Sequence, residues 1–233
     1  MRVAIHQPNY VPWCGYFAKM AVSDVFIFLD DAQMPGGQSF VYRNRIRDGE
    51  NEMWLSVPKS CKFGDRINAV KFSNQTWSRK HLATLQMNYA RTPFYNEIMS
   101  IITPIYQMPG DTLSNFNIRL IQTIAAYLSL NCKTFIASDL QINGVREDRL
   151  IRLVKSVNGD VYISGSGGTK YQHPERFEES GIDLIIYKYQ QIEYIQSQGR
   201  FLPNLSILDA LFHLGRSATK LLVLNGENVT TFA

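Results

Sequence analysis

Residues 161–189 read VYISGSGGTKYQHPERFEESGIDLIIYKY. An apolar run of strand length, VYIS (161–164), meets a glycine-rich turn; PERFEESG (174–181) follows as a short helix, and DLIIYKY (183–189) is a second apolar run. Strand, helix and strand in that order make a parallel crossover unit, because parallel neighbours need a long return connection. Immediately upstream, TFIASDL (134–140) supplies a further strand. REDRLIRLVKSV (146–157) supplies a helix with Leu150, Leu153, Val154 and Val157 at helical spacing. This βαβαβ series sets the class as α/β.

The beginning of the chain reads the same way. Val3 and Ile5 mark a short strand, HQPNYVPWCGYF (6–17) turns through Pro8 and Pro12 into a helix bearing Trp13, Tyr16, Phe17 and Met20, and DVFIFLD (24–30) is the next strand. In FVYRNRIRDGENEMWLSVP (40–58), two strand-like runs flank Asp48-Gly49, a hairpin signal, and INAVKFS (67–73) predicts a third strand. Helical spacing follows near residues 77–91, 95–107 and 113–129. A helix around Leu205 to Leu214 and the apolar run KLLVL (220–224) complete the pattern. The expectation is one domain over residues 1–233: a mostly parallel, Rossmann-like sheet with an antiparallel hairpin insertion at 40–73 and a helical segment at 77–130.

At 233 residues, 45% hydrophobic and 19% charged, the chain has ample material for a core. Its net charge of +4 suits a small anionic ligand. The basic residues are scattered, which argues against a nucleic-acid duplex as partner. Cys14, Cys61 and Cys132 have no metal-like spacing and are odd in number, excluding a disulfide framework or zinc ribbon and pointing to a reducing cytoplasm. No signal-peptide pattern opens the chain, and no run approaches the roughly 18 apolar residues that a membrane span needs. The pattern names no cofactor and no metal site.

In open α/β sheets the ligand crevice lies beyond the carboxyl ends of the strands, where HQPNY (6–10) and SGSGGTKY (164–171) both fall. The glycines of the second loop predict backbone conformations closed to other residues, with N–H groups turned toward an anion and Ser164, Ser166, Lys170 and Tyr171 as further donors. A plain strand-to-helix connection accounts for the same glycines. His6 is the candidate general base, with Gln7 beside it; the alternative is a histidine capping the strand end. Gly15 inside a helix implies close approach by a ligand or another backbone. Asp30 and Asp31 end a strand and read as paired carboxylates that bind a metal or orient a sugar amine or hydroxyl, or as turn chemistry. Arg43, Arg45 and Arg47 alternate along one strand, either clamping a diphosphate or facing solvent. His81 sits early in a helix within reach of an anion or on its solvated face, and Asp209 interrupts an apolar helix face.

IHQPNYVPWCGYFAKMAVSDVFIFLDDAQ (5–33), YRNRIR (42–47), YISGSGGTKY (162–171) and PNLSILDALFHLG (203–215) together resemble the WbqC-like family of bacterial proteins. The resemblance implies a cytosolic enzyme of O-antigen or other surface-polysaccharide synthesis, which transfers a glycyl or other acyl group to the amine of a nucleotide-linked amino sugar. Its distinctive positions fall here on His6, Gln7, Pro8, Tyr10, Pro12, Trp13, Gly15, Tyr16, Asp30, Asp31, Arg43, Asn44, Arg45, Ser164, Gly165, Lys170 and Tyr171. On this reading His6, Asp30 and Asp31 are catalytic. Gln7, Tyr10, Trp13, Gly15, Tyr16, Arg43, Asn44, Arg45, Ser164, Gly165, Ser166, Gly167, Lys170 and Tyr171 bind the nucleotide-linked amino sugar and the acyl donor. The opening segment also looks like the phosphate-binding turn of nucleotidyltransferases, but Trp13 and Tyr16 stand where that motif has histidines. An ATP-dependent synthetase is therefore the alternative enzyme, and a binding protein of a polysaccharide-assembly complex the alternative without catalysis.

Overall fold

The computed structural model describes residues 1–168, 172–197 and 199–231. Its main sheet takes five parallel strands, β1 (Arg2–His6), β2 (Val25–Phe28), β7 (Lys133–Ile136), β8 (Val161–Gly165) and β9 (Asp183–Tyr189), with antiparallel β10 (Glu227–Thr231) closing one edge. The spatial order is β10-β9-β8-β1-β2-β7. Numbered among the parallel strands alone, this is the Rossmann-like order: chain progress reverses between β1 and β8, the switch point where ligands lodge. The expected α/β architecture is present.

Both faces of this sheet are covered, which is why its strands read as continuous apolar runs. Ala4, Phe26 and Phe28 point to one side, into a core shared with α1 (Cys14–Ala21) and with the helices α2 (Trp77–Tyr89), α3 (Tyr95–Gln107) and α4 (Leu113–Tyr127). Val3, Ile5, Val25 and Ile27 point to the other, beneath α5 (Arg146–Ser156) and α6 (Pro174–Glu179), from which Leu153, Val154 and Phe177 descend. The period of two along each strand divides the residues between the two cores.

Strands β3 (Arg43–Asp48) and β4 (Asn51–Ser56) form the expected hairpin, with Gly49 at φ +60° in its turn. INAVKFS does not join it. Ile67–Ala69 is a 3-10 turn, and only Lys71–Phe72 (β6) is a strand, paired with Lys59–Ser60 (β5) in a sheet of two. The last helix, α7 (Ile207–Asn225), runs well past Leu214 and absorbs KLLVL. It bends at Gly215 (φ +66°), where an added Cβ would meet the Phe94 ring at 2.5 Å. Among the described residues, no helix is long and apolar enough to cross a membrane.

Candidate functional site

The ladder between β1 and β8 ends early. Its last registered pair is Ala4 with Ile163, whereas β1 stays with β2 as far as His6–Phe28, and β8 stays with β9 as far as Gly165–Tyr187. The two halves of the sheet therefore split at their carboxyl edge. His6 sits in the split and lines all three cavities that converge there, of about 620, 410 and 500 Å³.

The loop after β1 is held almost carbonyl by carbonyl. The Gln7 carbonyl accepts from Tyr16 Oη (3.0 Å), that of Pro8 from Asn117 Nδ2 (2.8 Å), that of Val11 from Asn44 Nδ2 (2.8 Å), and that of Pro12 from the Ile207 amide (2.9 Å). Val11 is held at φ +33°, a conformation that a β-branched residue adopts only under external constraint. Asn44 is thus loop scaffold, although it also borders the 620 Å³ cavity. Asn117 was not legible in the sequence as a site residue, since a buried asparagine on a helix carries no motif.

His6 Nδ1 lies 3.0 Å from the Gln7 carbonyl, which only accepts, so Nδ1 bears the hydrogen and Nε2 carries the lone pair. Burial, and next the charge of Lys19, push its pKa down to about 3. The Tyr16 ring stands edge-on to the imidazole at 4.8 Å, and Tyr16 lines the 410 Å³ cavity together with Trp13. Trp13 meets Tyr189 edge-on (5.2 Å) and forms a wall common to the 620 and 410 Å³ cavities. Gly15 gives room to Trp13 and Tyr189: an added Cβ would lie 2.6 Å from the indole and 2.9 Å from Tyr189 Cβ. The close neighbours are side chains of this chain, and Gly15 itself lines the 410 Å³ cavity.

On the opposite wall, Gly165 and Gly167 line both smaller cavities, and a Cβ on either would meet nothing within 4 Å. The expected left-handed conformations are absent, since neither these glycines nor Gly168 has φ in that range. Their role is steric: bare backbone faces open space. At Gly168 an added Cβ would strike Ser164 Oγ at 2.4 Å. Ser164 is buried beside the 500 Å³ cavity, and Ser166 borders the 410 Å³ one. Lys170 and Tyr171 lie outside the described residues.

Other sequence candidates are placed elsewhere. Tyr10 is fully buried, stacked on Phe116 and bonded to His81 and Tyr106, and lines none of the three cavities. His81 is accordingly in the core, not on a solvated face. Asp30 accepts from the Ser138 amide (3.0 Å), Ser138 Oγ (2.7 Å) and Asn68 Nδ2 (3.2 Å), tying the end of β2 to neighbouring loops. Asp31 pairs with Arg149. Neither carboxylate lines a converging cavity. Arg43 lies over the Trp54 ring at 3.9 Å, while Arg45 borders the 620 Å³ cavity with its charge shared with Glu52 (2.9 Å). Arg47 turns inward to Gln196 and the Arg200 carbonyl (2.6 and 2.7 Å), away from any diphosphate clamp. Asp209 is a buried acceptor for Tyr89, Tyr194 and Gln196.

Among the residues that sequence reasoning missed are Gln38 and Phe40, on the 620 Å³ cavity, and Lys19, on both smaller ones. A signal for Lys19 existed: it is the single charged residue in α1, CGYFAKMA, and it follows Tyr16 by less than one turn.

A family model described as the WbqC-like protein family matches residues 7–221. A protein of Mycobacterium tuberculosis (strain ATCC 25618 / H37Rv), called uncharacterized protein Rv1507c, is 33% identical over 221 residues, which cover 93% of this chain and 95% of that one. No solved structure matches significantly.

Proposed function

The chain belongs to the WbqC-like protein family, and from that premise we propose that it is a transferase of surface-polysaccharide synthesis, passing a glycyl or other acyl group to the amine of a nucleotide-linked amino sugar. The observation that carries this reading is the convergence of three cavities on His6 at the switch point. A sugar nucleotide is long, and neighbouring cavities that share His6 suit its parts. The 620 Å³ cavity offers Trp13 and Phe40 for a sugar face and Gln7, Gln38, Asn204 and Arg45 for hydroxyls, a mixture typical of small-molecule sites. Bare backbone at Gly165 and Gly167 receives the diphosphate.

In the reaction the sugar amine attacks the acyl carbonyl; the new C–N bond forms as the donor's leaving group departs. His6 Nε2 takes the proton that the amine sheds and returns it to that leaving group. Tyr16 and the Gln7 carbonyl fix the imidazole in the tautomer this needs. Asp30 and Asp31 act in this scheme as supports of the cleft floor.

Incubation with UDP- or dTDP-linked amino sugars and a panel of acyl donors, followed by mass spectrometry, tests the reading. A mass gain on the sugar amine that His6→Ala abolishes supports it. Release of pyrophosphate from ATP without sugar acylation replaces it with the synthetase. Sugar-nucleotide binding without product under any donor replaces it with a binding role.

A further inference from the structure

Lys19 is 4% exposed, yet it borders both cavities flanking the split, the 410 Å³ one and the 500 Å³ one. Its Nζ donates to the Ile5 carbonyl at 3.2 Å. Ile5 is one residue past the last β1–β8 pair, so that carbonyl is where the ladder stops. The amine therefore stands between the separated strands, on the axis of the crevice.

Among the described residues, the crevice holds no carboxylate. Lys19 takes part in none of the ion pairs among the described residues. No aspartate or glutamate lines either smaller cavity; the titratable neighbours there are His6 from β1, Tyr16 from α1, Tyr162 from β8, and Tyr187, Lys188 and Tyr189 from β9. A cation buried without a counter-charge is disfavoured, and burial accordingly pushes the Lys19 pKa down to about 7. A cation retained there at that cost is balanced most simply by an anion that arrives with the ligand.

We propose that Lys19 is the counter-ion for a phosphate-type oxyanion of the ligand, seated in the β1–β8 split against the bare backbone of Gly165 and Gly167. The inference takes from the functional reading only that this cleft holds the ligand. It has a second consequence. The charge of Lys19 helps hold the His6 imidazole unprotonated until a ligand binds. An oxyanion beside Lys19 offsets that charge, so binding of the phosphate end returns basicity to the imidazole that faces the reacting end.

The test uses inorganic pyrophosphate as probe, with acetate as the carboxylate control, on the full chain and on Lys19→Met and Lys19→Arg. Calorimetry should show pyrophosphate binding to the wild type, weakened roughly 10- to 100-fold in Lys19→Met, as expected for one lost charge-assisted hydrogen bond, and largely kept in Lys19→Arg. The unliganded Lys19→Met protein should melt no lower than wild type, because an uncompensated charge has been removed. In the wild type, imidazole NMR should show the His6 titration move upward when pyrophosphate binds; this readout needs no variant to fold. Pyrophosphate affinity within two-fold of wild type in Lys19→Met, or a His6 titration that does not move, overturns the proposal. Lysine-dependent binding of acetate but not pyrophosphate overturns the phosphate assignment. If pyrophosphate passes these tests and no amino-sugar nucleotide binds better than pyrophosphate alone, the sugar reading falls and the role of Lys19 stands.

Discussion

Tyr10→Phe separates the cleft from its scaffold. His81 Nε2 lies 3.1 Å from the Ser56 carbonyl, so it carries the ring hydrogen and leaves Nδ1 as an acceptor. The Tyr10 hydroxyl, 2.7 Å from Nδ1, must then donate to it, and the Tyr106 hydroxyl, 2.6 Å away, must donate to Tyr10. The chain of hydrogen bonds thus has one direction. Phenylalanine at position 10 keeps the ring on Phe116 and removes the middle of the relay, stranding a buried acceptor on His81 and a buried donor on Tyr106. Each stranded group costs about 1–3 kcal/mol, so the pair should cost about 2–4 kcal/mol after partial relaxation. In a chain of this size 1 kcal/mol moves the melting temperature by about 2–4 °C, which puts the expected drop at roughly 5–15 °C. Thermal and urea unfolding measure this directly, and a double-mutant cycle with His81→Gln should be far from additive. Because Tyr10 lines none of the cavities at His6, ligand affinity should stay within two-fold of wild type. A Tyr10→Phe protein that melts like wild type but has lost its ligand would refute the reasoning and return Tyr10 to the binding site.

Three further outcomes follow from packing and charge. Gly15→Ala drives a methyl into the Trp13 indole and should cost about 1–3 kcal/mol, with a change in tryptophan fluorescence; unchanged stability and emission would show that Trp13 is free to move. Asn44→Ala strands the Val11 carbonyl and should cost about 1–3 kcal/mol in urea unfolding, with an increase in proteolysis at residues 8–12 that a merely local loss of the hairpin would not produce. Below pH 6.5 the unfolded chain protonates His6 and His81, while the folded chain resists down to about 3 and about 4, so stability is lost as pH falls through that window. These two groups together give a slope of up to about 3 kcal/mol per pH unit, and a urea midpoint that is flat between pH 6 and 4.5 would contradict it.

The architecture was legible because its signals are local and repeated. Apolar runs alternating with helical periodicity gave the parallel strands, and Asp48-Gly49 gave the hairpin. INAVKFS was misread because apolar residues two apart suit a strand and a buried 3-10 turn alike, and the side chain of Ile67 is buried in either. At the site, position along a strand was the useful guide: His6 and Gly165 stand at the carboxyl edge, as their sequence context implied. Chemical identity was a poorer guide. Tyr10, Asp30 and Arg47 carry reactive or charged groups, but each spends them on hydrogen bonds within the fold, to His81, Ser138 and Arg200, which lie 71, 108 and 153 positions away. Lys19 escaped notice for the converse reason: one lysine in a short apolar helix looks like a solvated residue until the helix is seen packed against a split sheet.

The β1–β8 junction also sets when the cleft can exist. The two strands meet at a separation of 159 positions, as the pairing of Arg2 with Val161 records, whereas β1, β2 and β7 all lie within the first 136 residues. Closing so long a loop is slow compared with local pairing. Without that pairing there is no split: His6 and Lys19 stand in a cleft because β8 joins β1 as far as Ile163 and then parts from it. A ligand that touches both sides of the split is therefore a clasp across the pairing, adding its binding free energy to the stability of the joined sheet.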